Sequence, residues 1–228
     1  MSTAAAGRVA ALIPAAGSGT RLGADTPKAF IELKSIALLT RCALILSLAV
    51  DVIVVAVPEG LVERAGELLK DVDADIHIVE GGQDRQSSVA RALAVLPEDV
   101  DVVLVHDAAR PLVPQRVVHS VIDAVRQGAD GVVPVLPVAD TVKRVDAQGT
   151  VVETVNRDSL RRVQTPQGFL RSVLDEVHAD PTTLATDDAA LLEVSGYRVQ
   201  TVPGDERALK ITTMDDLHVA LSYLEEEL

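Results

Sequence analysis

The sequence predicts one α/β domain built around a doubly wound, mostly parallel sheet. Short runs rich in Val and Ile alternate with segments of helical periodicity along nearly all 228 residues, which is typical of a parallel sheet with helices on both faces. The run at residues 52–57 is apolar throughout and indicates a strand buried on both faces. Apolar residues make up 48% of the chain and aromatic residues only 2%, so the core must be aliphatic.

The predicted elements follow one another in a regular order. Strands are predicted at residues 9–13, 52–57, 76–79, 102–105, 131–135 and 198–202. Helices are predicted at residues 38–48, 61–70, 87–96, 114–127, 170–178, 187–195 and 214–224. Because such sheets bind ligands at the carboxyl ends of their strands, the loops that follow strands are the candidates for a site.

One segment departs from this alternation. Residues 141–145 and 150–155 predict two strands across a turn at 146–149, with no helix attached. A two-stranded hairpin is only marginally stable by itself in water. We therefore expect an arm at about residues 137–160 that packs on another surface, such as a second subunit, within an otherwise single domain spanning residues 1–228.

Composition argues against several classes of function. The net charge of −13 gives a surface that repels nucleic acid and anionic membranes, and the few aromatic residues argue against a base-stacking platform. Cys42 is the single cysteine, so there is no disulfide framework and no cysteine metal site. The apolar stretch at 42–57 is interrupted by Ser47 and Asp51 and is too short to span a bilayer. No segment near the start has the apolar core of a signal peptide, and we expect a soluble, cytoplasmic protein.

The most informative segment comes directly after the first predicted strand. It consists of Pro14, Ala15, Ala16, Gly17, Ser18, Gly19, Thr20, Arg21, Leu22 and Gly23, followed by Pro27 and Lys28. Its glycines let the backbone approach a ligand closely, and Arg21 and Lys28 supply cations over the same loop, as in a polyphosphate site. The dinucleotide fingerprint fails because the third glycine comes one position late. The ATPase loop fails because no lysine follows Gly23 directly.

A second candidate loop follows the third predicted strand. Gly82 would let its backbone face a base edge, where a carbonyl acceptor favours the amino group of cytosine over the oxygen of uracil. Ser87 or Ser88 is equally well placed as the N-cap of the next helix. An ordinary capped turn therefore remains an alternative for this segment.

Asp107 emerges at the end of the fourth predicted strand. One carboxylate together with phosphate oxygens of a substrate is a common way for proteins to hold Mg²⁺. The alternative is that Asp107 simply pairs with Arg110, and His106 is interpreted as structural.

Residues further along the chain have both structural and functional interpretations. Arg157 alone is typical of a solvated charge, and Thr186 or Asp187 is a good N-cap for the helix that follows. Lys210 is placed at the end of a strand. Thr213 and Asp216 have the spacing of a capping box with Asp in the third helical position.

Taken together, these motifs resemble the signature of the nucleotidylyltransferases that activate sugars and polyols. Within that superfamily they most resemble the 2-C-methyl-D-erythritol 4-phosphate cytidylyltransferases. The resemblance runs along nearly the whole chain. It implies a Rossmann-like nucleotidyltransferase fold and transfer of a cytidylyl group from CTP to 2-C-methyl-D-erythritol 4-phosphate in non-mevalonate isoprenoid precursor synthesis. Two alternatives stay open: a ribitol 5-phosphate cytidylyltransferase, which shares fold and nucleotide motifs, and a catalytically inactive nucleotide-binding protein.

The resemblance also implies roles for individual residues. The implied catalytic residues are Arg21, Lys28, Arg157 and Lys210. The implied nucleotide-binding residues are Pro14, Ala15, Ala16, Gly17, Gly19, Gly82, Gln83, Arg85 and Ser88. The implied polyol-phosphate-binding residues are Asp107, Arg110, Thr141, Arg157, Thr165, Thr186 and Lys210.

The family pattern further implies a metal ion and a dimer. Asp107 would hold Mg²⁺, with Mn²⁺ as an alternative, and the arm would join a homodimer in which Arg157 binds the polyol phosphate of the neighbouring subunit. Two residues at candidate site positions depart from the pattern. Asn156 stands where Asp is commoner, and Arg207 stands where many members have a second acidic metal contact.

Overall fold

The computed structural model describes residues 7–16, 26–180 and 185–225. Its strands are β1 (Arg8–Pro14), β2 (Glu32–Leu33), β3 (Ile36–Ala37), β4 (Val52–Val57), β5 (Asp75–Glu80), β6 (Val100–Val105), β7 (Gly131–Pro137), β8 (Val142–Val145), β9 (Val151–Val155), β10 (Arg161–Val163), β11 (Gln167–Leu170) and β12 (Val199–Pro203). Its helices are α1 (Leu38–Leu46), α2 (Val62–Leu69), α3 (Arg85–Leu93), α4 (Gln115–Arg126), α5 (Arg171–His178), α6 (Asp188–Val194) and α7 (Met214–Glu225). None of the helices in these ranges has the length and hydropathy needed to cross a bilayer.

A mixed, mostly parallel sheet forms the centre of the described chain. Its strand order is β10-β7-β11-β6-β1-β4-β5, and β12 also pairs with β7. The pairs β1–β4, β1–β6, β4–β5 and β7–β12 are parallel. The pairs formed by β10 with β7, and by β11 with β6 and β7, are antiparallel. The predicted doubly wound, mostly parallel architecture is confirmed.

Strand β11 was not predicted, and its sequence explains why. It is only four residues long and contains neither valine nor isoleucine, the residues that marked the predicted strands. A Cβ at Gly168 would overlap the Val121 side chain of α4. The glycine therefore lets the helix pack directly against the sheet, which is a tertiary requirement.

The helices cover both faces of the sheet, as the sequence pattern predicts. Alternate residues of β1 lie on opposite faces of the sheet. Val9, Ala11 and Ile13 pack with α1, α2 and α4. Ala10 and Leu12 pack with α3, α5 and α6. Strand β4 is buried at every residue. At roughly 1.5–3 kcal/mol for each fully buried large aliphatic side chain, these two layers supply most of the favourable free energy of folding.

Side-chain caps fix where three helices begin. Asp84, rather than Ser87 or Ser88, is the N-cap of α3, because its carboxylate accepts the Ser87 N–H while the Ser87 hydroxyl completes a capping box. The predicted serine cap is therefore wrong by three or four residues. Asp187 caps α6 by accepting the Ala190 N–H at 2.9 Å, and Asp216 accepts the Thr213 N–H at 2.8 Å before α7. Both of these caps were predicted.

The predicted hairpin forms a separate two-stranded sheet. Strands β8 and β9 pair only with each other among the described residues. The Asp146 carboxylate closes the turn by accepting the Thr150 N–H at 2.8 Å, and Gly149 has a φ of +83° that favours glycine. Val151 and Val152 are 55% and 62% exposed, so the arm carries apolar surface that its own domain leaves uncovered.

Candidate active site

The candidate site lies at the carboxyl edge of the sheet, where the loops after β1, β5 and β6 come together. These strands are linked through parallel pairs, so their carboxyl ends face the same edge. The Ala15 N–H donates to Ala56 O at 2.7 Å, and the His106 N–H donates to Leu12 O at 2.9 Å. Pro14, Ala15 and Ala16 therefore lie at this edge as predicted.

Part of the first loop lies outside the described residues. Gly17, Gly19 and Arg21 fall in this part, so their predicted roles stay predictions. After the gap, Lys28 begins a 3₁₀ helix, Lys28–Phe30, and is half-buried.

The loop after β5 is shaped by two glycines and a buried serine. Ser88 is fully buried, its Oγ accepts the Gly82 N–H at 3.0 Å, and its hydroxyl donates to Asp84 O at 2.7 Å. A Cβ at Gly82 would overlap the Ser87 side chain, and one at Gly81 would lie 3.0 Å from the Ala16 Cβ. Close approach to neighbouring segments therefore requires both glycines. Gln83 is exposed at the tip of the loop.

Three cationic side chains surround the Asp107 carboxylate. Lys210 Nζ lies 2.9 Å from Oδ2, Arg85 Nε lies 3.4 Å from Oδ1, and Arg110 Nε lies 3.8 Å from Oδ2. Burial alone would raise the pKa of Asp107, but the charges of Arg85 and Lys210 outweigh it and hold the pKa well below its usual range. Asp107 is therefore ionised, and Arg110 is the most distant of its three partners.

His106 and Thr165 hold the backbone of Asp107 in place. Thr165 Oγ1 accepts the Asp107 N–H at 3.0 Å and lies 3.1 Å from His106 Nδ1. His106 Nε2 lies 3.1 Å from Arg110 O. Burial lowers the pKa of His106 to about 4, so the ring is neutral near pH 7. It donates from Nε2 to the carbonyl and accepts the Thr165 hydroxyl at Nδ1, which agrees with the structural interpretation of His106.

The segment that carries Lys210 is held by side chains from elsewhere in the fold. Arg110 Nη1 donates to Ala208 O at 2.7 Å, so this guanidinium is partly committed to the protein itself. Gln164 donates to Asp205 O at 2.7 Å and accepts the Asp205 N–H at 3.0 Å. Lys210 does not end a strand, contrary to the prediction, because it follows the 3₁₀ helix Glu206–Ala208 in an irregular segment.

Asp188 is a site residue that the sequence did not reveal. It is 1% exposed and accepts hydrogen bonds from Arg85 Nη1 at 2.6 Å and from His178 Nε2 at 3.0 Å. A carboxylate in the first turn of a helix is usually an exposed dipole partner, so no local signal marked it. Thr186 lies two residues earlier and is exposed, just before the cap residue Asp187.

Two predicted site residues lie apart from this cluster. Thr141 and Arg157 are exposed at the base of the arm, where Arg157 donates to Ala139 O. Among the described residues, no hydrogen bond or ion pair joins either of them to Asp107, whose ion-pair partners are Arg85, Arg110 and Lys210.

A doubly wound α/β sheet with a glycine loop, one ionised carboxylate and several cations at its carboxyl edge is typical of the nucleotidyltransferases, a class of nucleotide-binding enzymes. The chain belongs to the 2-C-methyl-D-erythritol 4-phosphate cytidylyltransferase family, whose model matches residues 9–226. This confirms the family and the fold that the motifs implied.

Relatives and solved structures agree with this assignment. A protein from Frankia casuarinae named 2-C-methyl-D-erythritol 4-phosphate cytidylyltransferase is 49% identical over 219 residues, covering 95% of this chain and 81% of its own length. One of the same name from Rhodococcus jostii is 48% identical over 222 residues, covering 96% of each chain. The crystal structure of the Thermus thermophilus protein of that name matches with a TM-score of 0.80 and 37% identity, covering 96% of this chain and 99% of its own.

Proposed function

We propose that the chain transfers a cytidylyl group from CTP to 2-C-methyl-D-erythritol 4-phosphate, which gives 4-diphosphocytidyl-2-C-methyl-D-erythritol and pyrophosphate. The observation that carries this proposal is the convergence of Arg85, Arg110 and Lys210 on the Asp107 carboxylate at the carboxyl edge of the sheet, in a chain that belongs to this family. A site with one carboxylate and an excess of cations is suited to hold several phosphate groups at once.

The reaction needs positioning and charge stabilisation rather than a proton acceptor. An oxygen of the polyol phosphate attacks the α-phosphorus of CTP in line, and the bond from that phosphorus to the bridging oxygen of pyrophosphate breaks. Because the nucleophile is already anionic, no general base is required. Arg21 and Lys28 would stabilise the transition state and the leaving group. Lys210 would aim the nucleophile from its position 2.9 Å from Asp107.

The loop after β5 is the proposed site for the cytosine ring. Gly81 and Gly82 carry no side chain and are only half-buried, so backbone groups of this loop can meet the amino edge of the base. CTP should then be favoured over UTP, because a mismatched base leaves a polar group unpaired at a cost of about 1–3 kcal/mol. The ratio of kcat/KM for the two nucleotides measures this preference, and equal values would contradict the assignment of the base pocket.

Asp107 fits Mg²⁺ as a single oxygen ligand, and Mn²⁺ as its substitute. Within the described ranges no group of three or more His, Cys, Asp or Glu side chains is placed to hold a metal ion, so phosphate oxygens would supply other ligands. The low pKa of Asp107 keeps it anionic. When bound, the ion would neutralise charge on the phosphates. Lys210 and Arg85 compete with the metal ion for the two oxygens of Asp107. We expect the metal ion and the triphosphate to bind together, because phosphate oxygens can then pair with these two cations.

The arm is the proposed dimer contact. Val145, Val151 and Val152 are more than half exposed on it, and a two-fold axis would bury two such arms against each other. Each Arg157 would then reach the active site of the other subunit.

The acidic surface, with a net charge of −13, supports the absence of a nucleic acid partner. A cytosolic substrate such as CTP favours a cytoplasmic location for the protein.

Release of pyrophosphate with different acceptors tests the activity. We expect turnover with CTP and 2-C-methyl-D-erythritol 4-phosphate, and a much lower kcat/KM with ribitol 5-phosphate. Preference for ribitol 5-phosphate would reassign the acceptor, and CTP binding without turnover of either acceptor would make the chain an inactive nucleotide-binding protein.

Subunit exchange tests the placement of Arg157. Two inactive variants, Arg157→Ala and Lys28→Ala, are mixed and allowed to exchange. If Arg157 acts across the dimer, each mixed dimer has one site with both defects and one site with neither. Activity should then return to about a quarter of wild type for random exchange and independent sites. No recovery after demonstrated exchange would place Arg157 in the site of its own chain.

A further inference from the structure

A buried carboxylate lies behind the site and shares its arginine with Asp107. Asp188 is the first residue of α6, and its two oxygens accept from Arg85 at 2.6 Å and from His178 at 3.0 Å. It is 1% exposed, so it cannot reach a substrate. Although burial alone would raise the pKa of Asp188, the hydrogen bond from His178 and the charge of Arg85 lower it, and the group stays anionic.

The guanidinium of Arg85 is divided unequally between the two carboxylates. Its Nη1 lies 2.6 Å from Asp188 Oδ2, whereas its Nε lies 3.4 Å from Asp107 Oδ1. The first distance is that of a strong charge-assisted hydrogen bond, and the second lies at the long limit for one. Arg85 is therefore hydrogen-bonded mainly to Asp188. Its hydrogen bond to Asp107 Oδ1 is weak, although its charge still acts on that carboxylate.

We propose that Asp188 is a positioning residue that acts through Arg85: it holds the guanidinium back from Asp107 and so keeps Asp107 Oδ1 available to the divalent cation. This inference rests on the metal role proposed above for Asp107. A second cation, Lys210, already occupies Oδ2 at 2.9 Å. If Arg85 also formed a close ion pair with Oδ1, both oxygens of Asp107, the one metal ligand proposed from the protein, would be paired with cations.

Neutralising Asp188 should move Arg85 towards Asp107. In Asp188→Asn the arginine keeps its charge and its half-buried position but loses its stronger anionic partner. Among the described residues, the other carboxylate paired with Arg85 is Asp107, which already lies 3.4 Å from Nε. A tighter Arg85–Asp107 pair would oppose the divalent cation, so the affinity for the cation should fall without any loss of a metal ligand.

Direct metal binding provides the test. Mn²⁺ affinity is measured by electron paramagnetic resonance on the full chain, with a saturating CTP analogue that carries a methylene group between the α- and β-phosphorus. Asp188→Asn should weaken Mn²⁺ binding about tenfold, within the range of coupling between residues in contact. In the Arg85→Gln background, the same substitution should change Mn²⁺ affinity by less than about twofold, because the arginine that transmits the effect is absent.

Two further variants distinguish the explanations. Asp187→Asn makes the same chemical change one residue away, at a side chain bonded to Ala190 and Gln167 instead of Arg85, and should leave Mn²⁺ affinity unchanged. Asp107→Asn should lower Mn²⁺ affinity by more than Asp188→Asn does. If Asp107→Asn has no effect, the metal assignment fails and the role of Asp188 fails with it. If Asp107→Asn weakens binding but Asp188→Asn has no effect, or acts equally without Arg85, Asp188 is merely structural.

Discussion

Removing the hydroxyl of Ser88 should weaken CTP binding by loosening the loop proposed to hold the base. Ser88 Oγ accepts the Gly82 N–H at 3.0 Å and donates to Asp84 O at 2.7 Å. Ser88→Ala deletes both hydrogen bonds. Asp84 O keeps the Ser88 N–H at 3.1 Å, so the main loss is at Gly82, whose N–H is left without this acceptor.

The expected loss of CTP affinity follows from this one donor, the Gly82 N–H. An unpaired buried donor costs about 1–3 kcal/mol, and because Gly82 is only half-buried the lower part of that range applies. A cost of about 1–2 kcal/mol in forming the bound loop corresponds to a dissociation constant about 5- to 30-fold higher. Calorimetric titration of CTP into the protein, without the polyol phosphate, measures this directly.

Ser87→Ala is the matched control. The Ser87 hydroxyl donates to Asp84 Oδ1 at 2.6 Å and accepts the Asp84 N–H at 3.1 Å, so its loss weakens the capping box of α3 but spares the bond to Gly82. We expect a small fall in Tm and CTP affinity within about twofold of wild type, since a cap contributes about 1 kcal/mol to stability. Unchanged or tighter CTP binding by Ser88→Ala would show that the hydrogen bond to Gly82 does not shape the nucleotide site.

Three other substitutions test separate parts of the site and the fold. Lys28→Ala should lower kcat by roughly 10²–10³, the scale of one preorganised transition-state donor, and near-normal kcat with weak CTP binding would make Lys28 a ground-state anchor. Gln164→Glu replaces the donor to Asp205 O with a carboxylate oxygen. The free energy of unfolding, measured with urea, should therefore fall by about 1–3 kcal/mol, and kcat should fall as well. An unchanged kcat would show that the segment carrying Lys210 does not depend on Gln164. Asp216→Ala removes the carboxylate that accepts the Thr213 N–H and should cost about 1 kcal/mol at pH 7. Hydrogen bonds from Thr212 and Thr213 outweigh partial burial and lower the pKa of Asp216 to about 2, below its unfolded value of about 3.9. This stabilisation is complete above about pH 4 and is lost as the pH falls through 2. The free energies of unfolding of wild type and Asp216→Ala should therefore converge near pH 2. A difference that stays constant down to pH 2 would contradict the role of Asp216 as a cap.

Local sequence patterns predicted much of the architecture because they report local physics. The Val-rich run of β4 must be buried on both faces, and the helical spacing of Val89 and Leu93 places α3 against the sheet. The turn of the hairpin was likewise predicted at residues 146–149, where Gly149 has a positive φ. The cap of α3 was misplaced because three polar residues, Asp84, Ser87 and Ser88, all suit a helix start, and only the backbone geometry selects among them.

The order of loops along the sheet also made part of the site predictable. Once the strands are parallel, the residues after β1, β5 and β6 must share an edge, and so Ala15, Gly82 and Asp107 were expected there. Interactions between side chains distant in sequence were not predictable in this way. Arg85 and Asp188 are 103 positions apart, and Gln164 and Asp205 are 41 apart.

The aliphatic core, the parallel strands, the loops that carry the site and, through its motifs, the family could all be predicted from the amino-acid sequence. The electrostatics of the site depend on the folded structure. It placed Lys210 and Arg85 on Asp107, buried Asp188 and kept His106 neutral. The reason is physical: periodicity and turn preferences act over a few residues, whereas burial and the distance between charges depend on how remote segments pack, and these set the pKa and partners of each group.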